Sequence, residues 1–295
     1  MYSQIYRNKL KTNILISLFI IVIVAVAYAA AVVLGGNVAT IVIIAFIFSI
    51  LSSLGSYYYS DKIALSLSGA RGPIKKEDNP YVYRMVENLC ITDGLPMPKI
   101  YTIPTSAMNA FATGRDPAHS SIALTSGIIE NLENEELEGV IAHELSHIKN
   151  YDIRVMSIVV VLAGMVVIIA DYVFRWGILF GERRDSGNSN SLALIAGIVM
   201  IVLAPVFAEL IKLAVSRKRE FLADASAAML TRYPEGLARA LEKIAGNSEI
   251  KNSNAAIAHL YISSPFGKKA KSWFYKLLST HPPVEERIAA LRSMA

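Results

Sequence analysis

From Ile14 to Leu34 the chain runs for 21 consecutive residues without a charge, the length at which a helix crosses the hydrocarbon core of a bilayer. Gly35-Gly36-Asn37 interrupts the run, and Val38 to Leu54 resumes it, with Tyr57, Tyr58 and Tyr59 placed as an interfacial belt. The pair reads as a transmembrane hairpin, and everything downstream must fold beside it. A secretory signal competes for the first segment, because Arg7, Lys9 and Lys11 precede it and Ala27-Tyr28-Ala29 resembles a cleavage site. The run is longer than a signal core and a second span follows at once, so we expect an uncleaved hairpin.

Two later segments extend the pattern. Val155 to Phe174 is apolar except for Asp171, and Leu192 to Ala208 is apolar but contains Pro205 and leads into Glu209 and Lys212. Both are near the minimum spanning length, and their ionisable ends must reach an interface or a partner. We expect both to span, giving about four transmembrane helices. The resulting division is 1–60 for the N-terminal hairpin, 61–154 for the first part of a globular domain, 155–208 for a second hairpin and 209–295 for the second part.

Hydrophobic residues make up 54% of the chain and charged ones 18%, with 29 Lys and Arg against 24 Asp and Glu. The basic residues lie before the first span, throughout 62–154 and after Ala208. That asymmetry puts the N-terminus, the globular parts and the C-terminus on the cytoplasmic side of the cell membrane, with lipid as an obligatory partner. No aromatic-interleaved basic patch accompanies it, which argues against nucleic acid as a partner. The single cysteine, Cys90, excludes an internal disulfide and reads as a small packed side chain.

Within the globular parts, Val82, Met85, Val86 and Leu89 recur at helical spacing up to a Gly-Leu-Pro stop. Lys99 to Thr105 is a strand candidate, and "AMNAFATG" and "SSIALTSG" read as two more strands about an Asp116-Pro117 turn. A helix follows with Asn134 as its N-cap and Glu135 and Glu136 in its first turn. Its apolar line is Leu137, Ile141, Leu145 and Ile148. "SRKREFLADASAAML", "PEGLARALEKIAG" and "HPPVEERIAALRSM" read as helices, and the stretch around "NAAIAHLYISS" as irregular. The fold class is α+β, mostly helical with a small sheet.

The helix of "GVIAHELSHIKN" carries the chemistry. His143 and His147 stand one turn apart and offer two imidazoles on one face, the bite a tetrahedral zinc requires. Glu144 lies about a third of a turn round the helix, able to act as general base towards the attacking water without ligating the ion. A third ligand is needed, and Glu220 in "REFLAD" supplies it if the second hairpin pairs antiparallel and returns it to the histidines. Asp224, one turn beyond Glu220, can accept the free N–H of a ligating histidine. Read alone, these carboxylates would be a solvated helix face near Arg217, Lys218 and Arg219.

"AHELSHIKNYD", "SRKREFLADASAA" and "THPPVEERIAAL" together resemble the HtpX family of membrane zinc metalloproteases, related more distantly to CAAX prenyl proteases and Oma-type mitochondrial proteases. The resemblance covers nearly the whole chain. It implies a zincin-like (gluzincin) domain, one Zn2+ per chain on His143, His147 and Glu220, and Glu144 as catalytic base. It further implies an endopeptidase in quality control of membrane proteins, whose substrates are unfolded or damaged proteins. It gives "NAFATG" the role of a strand beside the cleft, with Asn109 and Ala110 contacting substrate, although a plain half-buried strand is equally readable. It makes His281 catalytic and Arg287 a supporting cation near the developing oxyanion, while a helix-cap role for His281 stays open. His119 and His259 have no motif and read as surface residues. A processing protease for one peptide or prenylated substrate is the enzymatic alternative, and a catalytically silent zinc-binding membrane scaffold the non-enzymatic one. Homo-oligomerisation and quality-control partners are not written in these motifs.

Overall fold

The computed structural model describes residues 2–34, 37–162, 164–165, 217–250, 254–266 and 282–294. Two long helices open it, α1 (Tyr2–Leu34) and α2 (Val38–Leu67). Asn37 caps α2 by accepting a hydrogen bond from the Thr40 N–H at 3.1 Å, which satisfies one of the donors left over at a helix start. Each helix is long and apolar enough to cross a membrane. Their outer faces stay bare, with Ile21, Ile44 and Leu51 each more than 60% exposed, an apolar surface that suits lipid and not water. α2 runs past the expected end at Leu54, so the tyrosine belt lies within the helix. Cations stack on it, Arg154 over Tyr57 and Arg115 over Tyr58 from the next layer and Lys62 of the same helix over Tyr59.

α3 (Pro80–Asp93) starts on Asn79, whose side chain accepts from the Val82 N–H, and stops at Gly94 in the left-handed conformation, φ 68°. Only a residue without Cβ turns the chain there without strain. Three strands follow, β1 (Lys99–Ile103), β2 (Ala110–Asp116) and β3 (His119–Thr125), in the order β1-β3-β2. β3 pairs parallel with β1 and antiparallel with β2, so Ile122 lies opposite both Ile100 and Ala112. After a short α4 (Ser126–Asn131) comes α5 (Asn134–Lys149). Its N-cap is Glu133 and not the expected Asn134, and the Glu133 N–H donates to Glu136 Oε2 at 2.9 Å. The Glu136 carboxylate, reaching back from the third helical position, satisfies the N-cap's own N–H as one half of a capping box.

The chain breaks at Tyr151, φ 59°, and 152–162 are helical again. Of the expected third span, residues 155–162 are thus helical and buried and 164–165 helical and half-buried, while 163, 166–174 and the whole of Leu192 to Ala208 lie outside the described residues. α6 (Arg217–Thr231), α7 (Pro234–Gly246), a 3-10 turn (Ala255–Leu260) and α8 (Val284–Arg292) complete the description.

The main core gathers Val82, Val86 and Leu89 of α3, the inner sheet face, and Leu137, Ile141, Leu145 and Ile148 of α5, all but Leu89 fully buried. Burial of each such Leu, Ile or Val contributes about 1.5–3 kcal/mol, and the helical periodicity in the sequence predicts which side chains they are. α7 lies hard against α5: a Cβ at Gly139 would stand 2.9–3.1 Å from backbone and Cβ atoms of Leu237. Two smaller clusters join the membrane helices to this body. Leu15, Phe19 and Val22 of α1 pack on Val155, Ile158, Val159 and Leu162, and the segment expected to be irregular buries Ile257, Leu260 and Tyr261 against Phe111.

Candidate metal centre

Because α5 commits one face to the core, His143, Glu144 and His147 turn towards α6 and the end of β2. α6 packs along that face and brings Glu220 and Asp224, one turn apart. All five residues are at most 5% exposed, so the solvated-face reading of Glu220 and Asp224 does not hold.

The two imidazole Nε2 atoms lie 3.2 Å apart, and Glu220 stands 3.8 Å from His143 Nε2 and 3.6 Å from His147 Nε2. Ligand atoms about 2.0–2.2 Å from a tetrahedral ion are separated by about 3.3–3.6 Å, and these separations, the last two being one from each Glu220 oxygen, are close to that range. Hydrogen bonding decides which nitrogens face the ion. His143 Nδ1 meets Asp224 Oδ1 at 2.9 Å, and His147 Nδ1 meets Asp152 Oδ2 at 3.1 Å. A carboxylate accepts and cannot donate, so each Nδ1 carries a proton and leaves Nε2 to face the other ring. Two such nitrogens 3.2 Å apart need a proton or a cation between them. Four buried carboxylates (Glu144, Asp152, Glu220 and Asp224) against two buried guanidinium groups (Arg219 and Arg287) leave an excess of negative charge that suits a dication. His143, His147 and Glu220 are the group among the described residues that can hold a metal ion.

The electrostatics of the side chains agree with that reading. Burial pushes His143 down to about 4, although Asp224 opposes it. Burial also acts to lower His147, but the hydrogen bond to Asp152 and the charges of Glu220 and Asp152 outweigh it and lift the group to about 9. The site therefore favours positive charge where the ligand atoms converge. Burial raises the Glu144 carboxyl to about 7, moderated by His147 and by the Ala112 N–H that donates to it. Asp224 loses hydration by burial, yet Arg287 beside it holds its carboxyl below the usual range.

A family model described as Peptidase family M48 matches residues 76–295. The chain belongs to peptidase family M48. Relatives named protease HtpX homolog share 45% identity in Tropheryma whipplei (strain Twist), over 100% of this chain and 98% of that one, and 45% in Dictyoglomus turgidum, over 99% and 94%. The crystal structure of S. mikatae Ste24p has the same fold, with a TM-score of 0.50 and 19% identity over 99% of this chain and 67% of that one. This M48 peptidase is a membrane metalloprotease, a hydrolase of peptide bonds, with a mostly helical fold, a small sheet and two N-terminal apolar helices.

Asp224 sits where the sequence of the M48 peptidase predicts, on the free nitrogen of a metal-facing histidine. Its counterpart on His147, Asp152, is missed by sequence reasoning. It lies beyond the helix end in "HIKNYD", and only the break at Tyr151 swings it back to the ring. Arg287 lies beside the ligands. It is fully buried, donates to both Asp224 oxygens at 2.8 and 2.6 Å and to the Ile262 carbonyl at 3.2 Å, and lies 3.8 Å from Glu220. These contacts make it a clamp on the carboxylates of the centre. His281 lies outside the described residues.

The substrate-contact expectation for Asn109 and Ala110 is also revised. Asn109 is fully buried and donates to the Ser263 carbonyl at 2.8 Å, and the Ala110 carbonyl accepts from the Ile262 N–H at 2.9 Å. Those bonds fasten the 260s chain to the end of β2, because a buried amide must find partners inside the protein. His119 is exposed as expected, its side chain 54% accessible. His259 is not: it is buried, with Nε2 3.2 Å from the Met156 carbonyl.

Proposed function

We propose that this M48 peptidase is a zinc-dependent endopeptidase that cleaves unfolded or damaged membrane proteins on the cytoplasmic side of the cell membrane. The observation that carries the reading is the buried convergence of His143, His147 and Glu220 with the Glu144 carboxylate on the same helix face. Two histidines and one glutamate, with a fourth position left for water or substrate, are a donor set that suits catalytic zinc. Zinc bound there supplies Lewis acidity and brings a water within reach of deprotonation at neutral pH.

The protein's own groups do the rest. Asp224 and Asp152 keep both rings in one tautomer and orientation. Glu144, buried beside the ligands and one residue from His143, takes a proton from the attacking water and returns it to the leaving amine. The Ala112 N–H holds one of its oxygens. Because the Asn109 and Ala110 groups are engaged internally, backbone pairing with an extended substrate has to use β2 beyond Ala110, and pairing of that kind carries little sequence preference. Such tolerance fits a quality-control protease better than one dedicated to a single peptide. An intact, buried general base has no use in a silent scaffold.

The membrane arrangement belongs to the same proposal: four spans, hairpins over 1–60 and 155–208, a protease body divided between 61–154 and 209–295, and both termini cytoplasmic. The distribution of Lys and Arg supports it. The test is Glu144→Gln in the full chain. It should keep about one zinc per chain by elemental analysis and lose cleavage of an unfolded model protein by about 10²–10⁴-fold. Cleavage at the native rate, or a metal other than zinc in the active preparation, would sink the corresponding half of the proposal.

A further inference from the structure

α1 reaches the metal centre. The side chain of Asn8, in the second turn of this first apolar helix, donates from Nδ2 to Asp152 Oδ1 at 2.7 Å and to the Asn150 carbonyl at 2.8 Å. Asp152 uses its other oxygen on His147 Nδ1 at 3.1 Å. Asn8 is fully buried, and both partners are acceptors, so the orientation of its amide is unambiguous. Its Oδ1 has no partner among the described residues. Burying an unpaired acceptor is costly, and a side chain placed in that way is retained for its two donors.

The rest of α1 explains the register. Asn8, Thr12, Leu15, Phe19 and Val22 are buried at spacings of four and three, which is a packing seam along one side of the helix. Its apolar members lie on Val155, Ile158, Val159 and Leu162 of the helix that begins at 152. An apolar seam alone tolerates sliding by a turn. A polar residue with one set of partners removes that freedom, and here the set is the carbonyl and carboxylate flanking Tyr151. Arg219 of α6 adds a longer contact to the same oxygen, its NH1 3.3 Å from Asp152 Oδ1.

We propose that Asn8 is a positioning residue of the metal centre, acting through Asp152 on His147, so that the docking of the first membrane helix tunes metal binding. The inference rests on the metal reading of His143, His147 and Glu220. Asn8 touches neither metal nor substrate. Without Asn8, Asp152 Oδ1 keeps only the longer Arg219 contact, so its second oxygen is aimed less firmly at the ring and His147 gains freedom to rotate.

The experiment uses the full chain in detergent or nanodiscs and compares native protein with Asn8→Leu, Asn8→Ser and Thr12→Val. Metal affinity is read by competition with a chromogenic chelator, and ligand geometry by the visible bands of the cobalt-substituted protein. Outer-sphere partners of metal-ligating histidines change affinity by about 10–100-fold. Asn8→Leu should therefore weaken zinc by about tenfold, shift the cobalt bands, and lower kcat with KM little changed. Thr12→Val alters the same seam without touching Asp152 and should leave all three readings as they are. In an Asp152→Asn background, Asn8→Leu should add nothing further. If Asn8→Leu folds poorly, Asn8→Ser, which shortens the reach to Asp152, carries the same expectation. Native affinity and cobalt bands in the Asn8 variants, or losses that add fully to those of Asp152→Asn, overturn the role of Asn8 and leave the metal site standing. Failure of the native chain to bind zinc or cobalt overturns both.

Discussion

His143 and Arg287 share Asp224: the ring nitrogen Nδ1 meets Oδ1 at 2.9 Å, while the guanidinium donates to both oxygens at 2.8 and 2.6 Å. One carboxylate thus fixes the tautomer of a metal-facing histidine and is itself fixed by the last helix of the chain. Asp224→Asn halves that arrangement, keeping shape but losing charge. We expect metal affinity to fall by about 10–100-fold with helix content retained, measured by chelator competition beside circular dichroism.

Arg287→Met removes the clamp and leaves Asp224 and Glu220 without their buried cation. Breaking a buried pair by deleting one partner costs about 3–5 kcal/mol. Chemical unfolding of the metal-free protein should show a loss of that order. Arg287→Lys should recover only part of it, because an ammonium cannot reproduce the two-pronged contact. An unfolding midpoint unchanged in Arg287→Met would contradict the assignment.

Gly139→Ala tests how α5 meets α7. The added methyl would stand 2.9–3.1 Å from Leu237, so the helices must separate. Overpacking of this kind costs about 1–3 kcal/mol, against a gain below about 1 kcal/mol from helix propensity. A net loss of stability is expected by thermal denaturation, with the metal ligands themselves unaltered.

Burial pushes the Cys90 thiol from its ordinary value of 9.0 up to about 11. The folded chain therefore holds this proton more tightly than the unfolded one. Its contribution to stability is full below pH 9 and declines as pH rises from 9 towards 11. At pH 8 the thiolate is about one part in a thousand in the folded protein. Iodoacetamide should label Cys90 only after denaturation, and rapid labelling of the native protein would refute the burial.

Several features are legible without coordinates because they depend on neighbours in the chain. The two apolar helices follow from uninterrupted runs of uncharged residues. α3 and α5 follow from apolar positions three and four apart, and Leu137, Ile141, Leu145 and Ile148 are indeed all fully buried. The bite of His143 and His147 is a property of one helical turn, and the spacing of Glu220 and Asp224 repeats it. The capping of α5 by Glu133 is less legible, since Asn134 carries the stronger local preference for that position and the carboxylate of Glu136 overrides it.

What joins these pieces has no local signal. Asp152 lies past the end of α5, and a left-handed residue at Tyr151 decides that it returns to His147. Arg287 is a supporting cation by family resemblance alone until α8 packs on α6 and buries it against Asp224. Asn8 sits in an apolar helix near its start, where an asparagine suggests only an interfacial position. Asn109, expected at the cleft, and His259, expected at the surface, are both buried because strand and loop close over them. Sequence by itself determined the elements and the ligand types, since propensity and periodicity act over one or two turns. Only the tertiary structure decided which buried charge meets which, because the cost of burying an unpaired charge is settled by residues far apart in the chain.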